Sequence, residues 1–393
     1  MENNKLITNI INIVLVMVII ACSFFAGTVF ERENGAGRFS QFNRDIQKID
    51  KLIDENFYFK DNINQERAFK NSIFGYVASL GDQFSYYLDE SDNIEFSENI
   101  NGDYVGIGVE ISIDNNNFIT VTRTFAGSAA EKAGINIGDR IIGVEGDPVT
   151  GDMLDETVAR IRGKIGEDVA IQILTSNGSE KNVVVTRATV TKETISIKTL
   201  NNNIGYVKIA GFDAHTTEEF KTKFAQINVA DLKGLIVDLR SNSGGLLSSV
   251  VDISDIFMPE GEVVKVKYTS GEEKSYKSDE KNKVTLPIVV LVNQWTASAA
   301  ELLAGGLKDN NKAILIGQKT FGKGVVNQDF GLTSKTALVL TVGEYFLPSG
   351  KNIHKVGIEP DFYVELSDVD VSLSLLPEEK DSQLQKAIEV LSE

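Results

Sequence analysis

The sequence predicts a layered α/β core preceded by a small β-rich module, an N-terminal helical region and a transmembrane helix. Three patterns indicate this architecture. Uninterrupted apolar strands alternate with helices after residue 198, short β-branched strands follow one another from residue 104, and residues 6–30 carry no charge. Uninterrupted apolar strands are typical of a sheet covered on both faces.

Length and composition limit the function. The 393 residues are 42% hydrophobic, which is enough for two or three domains with ordinary cores. The net charge of -17 argues against nucleic-acid binding, which needs basic clusters. A single cysteine, Cys22, rules out an intramolecular disulfide and a cysteine-based metal site, and two histidines make a zinc site less plausible still.

The uncharged run 6–30 is the predicted membrane segment. As a helix, its 25 residues would be about 38 Å long, more than the roughly 30 Å of a hydrocarbon core. Lys5 before it and Glu31 after it place the short N-terminus inside and the rest of the chain outside the cell. We predict a single-pass signal anchor. Two alternatives stay open: a cleaved signal peptide, and a lipoprotein in which Cys22 of "IIAC" carries the lipid.

Composition and periodicity divide the chain into five regions. Two amphipathic helices are expected between residues 46 and 80, and "GDQFSYYLDE" then forms a turn. The β-rich module has five short strands and one helix, "MLDETVARIRG". The predicted regions are a membrane anchor (1–33), an N-terminal helical region (34–95), the β-rich module (96–188), the α/β core (189–365) and a C-terminal helix (366–393).

Ser298 is the first candidate for chemistry. It lies in "NQWTASAAELLAGGL", after the apolar strand "LPIVVLV" and in the first turn of a helix. The free backbone N–H groups and the positive dipole end at a helix N-terminus would stabilise an oxyanion that develops next to this serine. The alternative is structural, because Ser298-x-x-Glu301 matches a helix capping box.

Lys323 is the candidate that would activate the serine. It lies between two glycines in "TFGKG". A lysine can act as a general base when burial lowers its pKa, since desolvation disfavours the ammonium form. The alternative is an ordinary solvated lysine in a glycine turn.

Two glycine-rich segments are candidates for binding. In "VDLRSNSGGLL", backbone N–H groups near Gly244 and Gly245 could donate to an oxyanion, whereas Asp238 and Arg240 are expected to form a structural pair. The spacing of a phosphate-binding loop is absent. In "YVGIGVEI", a glycine-rich turn feeding an edge strand could bind an extended peptide and its terminal carboxylate, or could be a simple hairpin turn.

These motifs occur together in an order that resembles a known family. "GSAAEKAGINIGDRIIGVEGDPV" is similar to the core of a PDZ domain. "VDLRSNSGG", "WTASAAE", "TFGKG" and "PSGKNIHKVGIEPD" resemble the C-terminal processing peptidases, also called tail-specific proteases. The resemblance runs from about residue 45 to the final helix. It implies a crotonase-like layered α/β peptidase core with a PDZ domain.

The resemblance also implies roles for individual residues. Ser298 matches the nucleophile and Lys323 the general base of a Ser–Lys serine peptidase, and the oxyanion donors would be the backbone amides of Ala299 and of Gly244 or Gly245. No metal or other cofactor is implied.

The third member of the site departs from the family pattern. The family usually places a glutamine four residues after the lysine, where this chain has Asn327 followed by Gln328. In a strand, residues 323 and 327 face the same side, so Asn327 is the better candidate to orient the amine. A local bulge that brings Gln328 round is the alternative.

In the family, the PDZ domain binds the substrate's C-terminal tail and can gate the active site. Gly106, Ile107 and Gly108 would therefore take the tail carboxylate, and Arg162 is a candidate for peptide contact or gating. A homodimer through the N-terminal helices is also implied. The predicted function is that of a membrane-anchored, extracytoplasmic serine endopeptidase cleaving proteins near their C-termini. The alternatives are an inactive PDZ scaffold and a crotonase-type acyl-transfer enzyme.

Overall fold

The computed structural model describes residues 40–279, 284–366 and 376–393. The predicted membrane segment and Cys22 lie outside these residues. Within them, every helix is too short or too polar to cross a bilayer. The chain divides into two compact units, residues 1–75 and residues 76–393.

The helices and strands have the following bounds. The helices are α1 (40–56), α2 (Gln65–Ala78), α3 (Glu90–Asn101), α4 (Ala129–Lys132), α5 (Leu154–Ile161), α6 (Thr216–Phe224), α7 (Leu247–Phe257), α8 (Ala299–Asp309) and α9 (Ser382–Val390). The strands are β1 (Tyr86–Leu88), β2 (Asp103–Gly106), β3 (Val109–Ile113), β4 (Ile119–Thr124), β5 (Arg140–Val144), β6 (Asp147–Pro148), β7 (Asp168–Leu174), β8 (Glu180–Thr186), β9 (Ala188–Thr191), β10 (Ile195–Leu200), β11 (Ile204–Ile209), β12 (Gly234–Asp238), β13 (Gly261–Tyr268), β14 (Glu273–Ser278), β15 (Ile288–Val292), β16 (Ala313–Gly317), β17 (Val325–Gly331), β18 (Ala337–Phe346) and β19 (Phe362–Tyr363).

In the described part of the first unit, α1 carries an exposed apolar face. The face has apolar residues at intervals of three, four or one positions, a spacing that places them along one side of a helix. Its members are Phe42, Ile46, Ile49, Leu52 and Ile53, all of them exposed.

The β-rich module has a core of its own. Its main sheet has the order β3-β4-β5-β7-β8, with β6 paired to β5, and β2 pairs separately with β9. Alternate residues of β7 (Val169, Ile171, Ile173) point into the core and are at most 1% exposed, as period-two patterning requires. Strand β3 pairs only with β4 in the described structure, so it is an edge strand.

The central sheet of the second unit is covered on both faces. Its order is β10-β11-β12-β15-β16-β19, with all neighbours parallel except β10 and β11. Leu235 and Val237 of β12 pack in one cluster with residues of α7 and α8, whereas Ile236 packs with Leu384 of α9 on the opposite face. This two-sided burial explains why β12 and β15 are continuous apolar runs in the sequence.

An antiparallel sheet completes the core. Its order is β1-β18-β13-β14, and β17 also pairs with β18. Strand β1 comes from the predicted N-terminal helical region, where "GDQFSYYLDE" indicated only a turn. Helix α3 follows at once. Asp89 caps its N-terminus, where the side chain accepts a hydrogen bond from the Asp92 N–H, and Gly102 with φ 80° caps its C-terminus.

Candidate active site

Ser298 lies between β15 and α8 in a strained conformation. Its φ of 54° and ψ of -121° are unusual for a residue other than glycine. The preceding turn is fixed by Thr296, whose hydroxyl donates to the Leu239 carbonyl oxygen at 2.8 Å. Ser298 is half-buried, while its neighbours Ala297 and Ala299 are buried. A rigid strand–turn–helix connection thus presents one accessible hydroxyl at a helix N-terminus.

Gly244 packs directly against this serine. A Cβ atom on Gly244 would lie 2.8 Å from the Ser298 Cβ and 3.0 Å from the Ala299 nitrogen. The Gly244 N–H donates to Asn242 Oδ1 at 2.8 Å, so it already has an acceptor. The N–H groups of Gly245 and Ala299 donate no hydrogen bond within the described part of the chain. Of the two glycines expected as oxyanion donors, Gly245 therefore has the available N–H.

Glu301 joins the segment of the serine to the segment of the lysine. Its side chain is 0% exposed. Oε2 accepts from the backbone N–H groups of Ser298 at 2.8 Å and Lys323 at 2.9 Å, and Oε1 accepts from the Thr320 hydroxyl at 2.6 Å and the Gly322 N–H at 2.8 Å. Burial raises the pKa of Glu301, and these four hydrogen bonds oppose the rise. The serine–glutamate spacing that matched a capping box thus also anchors the lysine loop.

Lys323 lies half-buried in the loop between β16 and β17. Burial lowers the pKa of Lys323, while the nearby Asp82 carboxylate raises it. The amine lies 5.1 Å from the centre of the Phe84 ring. In the described structure no hydrogen bond joins Lys323 Nζ to Ser298 Oγ. Catalytic hydrogen bonds are often long in the absence of substrate and tighten when it binds.

Asn327 contacts the segment around Phe84. Its amide donates to the Phe84 carbonyl oxygen at 2.8 Å and to the Thr341 hydroxyl at 3.3 Å. Gln328 is exposed. The register of β17 and β18 shifts between Val326 and Asn327. In the described structure, neither side-chain amide hydrogen-bonds the Lys323 amine. Asn327 is connected to the amine indirectly, because it binds Phe84, whose ring lies next to the amine.

Asp238 and Arg240 form a buried ion pair behind the glycine loop. They are 2% and 3% exposed, and Arg240 also bonds Asp381 (2.8 and 2.9 Å) and Gln383 (3.2 Å) at the start of α9. Burial alone would raise the pKa of Asp238, but the Arg240 guanidinium holds it below its ordinary value. The pair therefore supports the loop that carries Gly244 and fastens the C-terminal helix to it.

The glycine-rich turn of the β-rich module leaves donors free. The carbonyl oxygens of Ile107 and Gly108 accept from Ala130 (2.8 Å) and Phe125 (3.0 Å), but their N–H groups donate no hydrogen bond within the described residues. Gly108 has φ 85°, and a Cβ there would lie 2.3 Å from the Ser128 Cβ. Gly106 ends β2, and edge strand β3 starts at Val109. This geometry suits a peptide that adds as a strand with its carboxylate at the turn.

Arg162 lies at the end of α5, beside this turn. Its Nη1 donates to Glu98 Oε2 at 3.0 Å, and its guanidinium carbon lies 5.7 Å from the centre of the Tyr104 ring. Burial, followed by the charge of Glu110, raises the pKa of Tyr104 to about 12. A Cβ on Gly106 would lie 2.9 Å from the Tyr104 ring. Arg162 is thus connected to the glycine-rich turn through one aromatic ring.

Sequence reasoning missed three residues around the lysine: Asp82, Phe84 and Thr341. The first two belong to the segment interpreted only as a turn, and Thr341 to a strand with no assigned role. Their distance from Lys323 along the chain left no local pattern that could have indicated the contact.

Comparisons with known proteins match both halves of the second unit. The model of the PDZ domain matches residues 94–174, and the model of peptidase family S41 matches residues 203–364. The carboxy-terminal processing protease CtpA of Bacillus subtilis is 33% identical over 362 residues, which cover 91% of this chain and 77% of that protein. The carboxyl-terminal-processing protease of Synechocystis is 32% identical over 351 residues, covering 87% of this chain and 81% of that protein.

A solved structure has a similar fold. A Bacteroides fragilis protein assigned to the S41 proteases superposes with a TM-score of 0.55 at 19% identity, covering 80% of this chain and 87% of that one. At this identity the similarity concerns the fold alone.

Proposed function

Because this chain belongs to peptidase family S41 and is a serine peptidase of the C-terminal processing type with a PDZ domain, we propose that Ser298 is its nucleophile and Lys323 its general base. The observation that carries this assignment is the pair of hydrogen bonds that Glu301 Oε2 accepts from the backbone N–H groups of both residues. One buried carboxylate oxygen thus fixes the two backbones relative to each other.

The reaction uses the protein's own groups. The neutral Lys323 amine takes the proton of the Ser298 hydroxyl as the oxygen attacks the scissile carbonyl carbon. The N–H groups of Ala299 and Gly245 stabilise the oxyanion. Removing one such donor typically lowers the rate about 10²- to 10³-fold. The Lys323 ammonium then protonates the leaving amine and an acyl-enzyme forms. Lys323 next deprotonates a water molecule as it attacks the ester carbonyl carbon. The resulting ammonium returns the proton to Ser298 Oγ as the carboxylic acid leaves, which restores the neutral amine and the free serine.

A protein substrate with a C-terminal tail tests the assignment. The full chain should shorten the substrate, and Ser298→Ala and Lys323→Ala should each lower turnover to background while thermal unfolding stays cooperative. Lys319→Ala, on the same loop but exposed, serves as the matched control. Retained turnover in both active-site variants would refute the mechanism.

The PDZ domain is the proposed binding site for the substrate's C-terminal tail. The free N–H groups at Ile107 and Gly108 and the open edge of β3 support this role. A fluorescent peptide with a free carboxylate should bind the full chain more tightly than its amidated copy, because the amide cannot accept at the turn as an anion does. Equal affinity of the two peptides would contradict carboxylate capture.

Membrane anchoring by residues 6–30, with the catalytic part outside the cytoplasm, is proposed from the sequence of that segment. The full chain should remain with membranes after alkaline washing, whereas a chain starting at residue 34 should not. External protease should digest the anchored chain in intact cells. Release of the full chain by the alkaline wash would contradict the anchor.

A homodimer through α1 is the proposed assembly. The apolar face of Phe42, Ile46, Ile49, Leu52 and Ile53 supports it, because such a stripe is buried when two helices pair. Light scattering should give twice the mass of one chain, and Ile49→Glu should give the monomer mass. The exposed polar position Lys51→Glu is the control.

A further inference from the structure

The turn formed by residues 82–85 lies over the Lys323 amine and is held by hydrogen bonds. Asp82 Oδ2 accepts from the hydroxyls of Ser85 and Thr341, each at 2.6 Å. Asp82 Oδ1 accepts from the Phe84 N–H at 3.1 Å, and Ser85 Oγ accepts from the Thr341 N–H at 3.0 Å. Both the side chain and the backbone N–H of Thr341 thus fasten the turn to strand β18.

Strand β17 holds the same turn from the lysine side. Asn327, four residues after the lysine, donates to the Phe84 carbonyl oxygen at 2.8 Å. The Phe84 ring is thereby placed 5.1 Å from Lys323 Nζ and 5.8 Å from the His354 ring. His354 Nδ1 is buried without a hydrogen-bond partner within the described residues. The amine consequently faces an aromatic surface rather than open solvent on this side.

We propose that the turn 82–85 is a positioning element for the catalytic lysine, in which the Phe84 ring keeps water from the amine and the Asp82 carboxylate favours its charged form. The proposal rests on the assignment of Lys323 as general base. Asn327 contributes by holding Phe84 in place. In this arrangement the residue that follows the lysine by four positions orients it through an aromatic ring.

Three titratable groups lie on the elements around Lys323. The charge of Asp82 acts on its amine, Glu301 of α8 accepts from its backbone N–H, and His354, in the loop after β18, packs against the Phe84 ring. Burial raises the pKa of Asp82, but the hydrogen bonds from Ser85, Thr341 and Phe84 outweigh burial and lower it. Asp82 is therefore ionised at neutral pH. Its charge favours the ammonium form of Lys323, whereas the Phe84 ring favours the neutral amine by excluding water.

Two substitutions should therefore move the lysine pKa in opposite directions. Asp82→Asn keeps the shape of the side chain and removes its charge, so the pKa of Lys323 should fall by about one pH unit. Phe84→Ala admits water, so the pKa should rise by about one pH unit. The loss of the ring's attraction for the ammonium acts the other way, and we expect the entry of water around the amine to outweigh it.

The titration is read directly on the amine. Full-length chain carrying ¹³C at the lysine ε position is followed by NMR against pH, and Lys323→Met identifies the signal. The same variants are then assayed for kcat/KM against pH, whose acid limb should move with the lysine pKa. Phe84→Tyr, which keeps the ring, should restore the wild-type values. Asp329→Asn and Phe330→Ala, on exposed positions of β17, are the matched controls.

A lower Lys323 pKa in Asp82→Asn together with a higher one in Phe84→Ala would support the proposal. An unchanged Lys323 signal in folded variants, with only the size of the activity reduced, would overturn it. If Phe84→Ala does not fold, the isosteric Asp82→Asn carries the test alone. Because the NMR titration needs no turnover, movement of the signal without activity in the wild type would sustain the positioning element and refute the proposed catalytic function.

Discussion

The carboxylate of Glu301 accepts a 2.8 Å hydrogen bond from the backbone N–H of Ser298. The same oxygen accepts from the N–H of Lys323 at 2.9 Å. A residue inside α8 therefore holds the serine in its strained conformation and the lysine loop beside it. The relationship links the stability of the fold to the geometry of the site.

Glu301→Gln should lower both stability and activity. The amide nitrogen that replaces either oxygen would face at least one backbone N–H donor. Hydrogen bonds to a buried charged acceptor are worth about 1.5 to 3 kcal/mol each. We expect the free energy of unfolding to fall by about 2 to 4 kcal/mol and kcat to fall more than KM rises. Urea unfolding and steady-state kinetics measure the two effects. The exposed Glu359→Gln should change neither, and an active, fully stable Glu301→Gln would contradict the role.

Lys323→Met should stabilise the protein at neutral pH. The pKa of Lys323 is lowered from its ordinary 10.5 by burial, so the unfolded chain binds this proton more tightly than the folded chain does. Above about pH 10.5 the amine is neutral in both the folded and the unfolded chain, so its protonation costs no stability. As the pH falls from there through the lowered pKa of the folded chain, the folded state loses stability because the unfolded chain binds the proton more tightly. The gain from Lys323→Met should therefore shrink as the pH rises towards 10.5.

Chemical unfolding across pH 6–10 measures the difference in free energy of unfolding between wild type and Lys323→Met. A shift of one pKa unit between the folded and unfolded chain corresponds to about 1.4 kcal/mol. Lys319→Met, on the exposed part of the loop, should show no such trend. A constant difference between Lys323→Met and wild type up to the highest pH would mean that the amine titrates normally.

Gly244→Ala should reduce turnover by displacing the serine. The new methyl group would lie 2.8 Å from the Ser298 Cβ and 2.9 Å from the Ala297 carbonyl oxygen, at a φ of 105°. We expect a loss of about 1 to 3 kcal/mol in stability and about 10²-fold in kcat. Gly350→Ala is the control, because its φ of 79° imposes strain while no atom lies within 4 Å of the added carbon. Equal kinetics of the two variants would contradict close packing against the serine.

Asp381→Asn should release the C-terminal helix from the core. Asp381 both caps α9 and pairs with the buried Arg240, and removing one member of a buried ion pair costs about 3 to 5 kcal/mol. Urea unfolding should show this loss. Glu90→Gln, which breaks the exposed pair with Lys335, should cost less than about 1 kcal/mol. Similar losses in both variants would show that Arg240 does not depend on α9.

The sequence predicted best those features that depend on local pattern. The consecutive apolar residues of β12 and β15 indicated a sheet covered on both faces, which the structure has because α7 and α8 pack on one side and α9 on the other. The resemblance to C-terminal processing peptidases with a PDZ domain is confirmed by the family matches. The individual roles of Ser298 and Lys323 stay predictions.

The contacts that surround the lysine could not be predicted, because they depend on long-range packing. Strand β1 is three residues long, too short for a period, and Asp82 meets Thr341 across 259 positions of the chain. Glu301 was visible only as part of a capping box, since nothing local indicates that Lys323 N–H would reach it. That Asn327 orients the lysine stays a prediction. Its hydrogen bonds to the Phe84 carbonyl oxygen and the Thr341 hydroxyl join segments that no local pattern connects.

Covalent labelling of Ser298 tests the central claim most directly. The full chain is treated with a fluorophosphonate, and the modified residue is identified by mass spectrometry in wild type, Lys323→Met and Lys319→Met. A single adduct should form on Ser298 in wild type and Lys319→Met, at a rate that rises with pH through the lysine pKa, and should form far more slowly in Lys323→Met. Turnover of a tailed substrate without any Ser298 adduct, or equally fast labelling in Lys323→Met, would contradict a serine activated by this lysine.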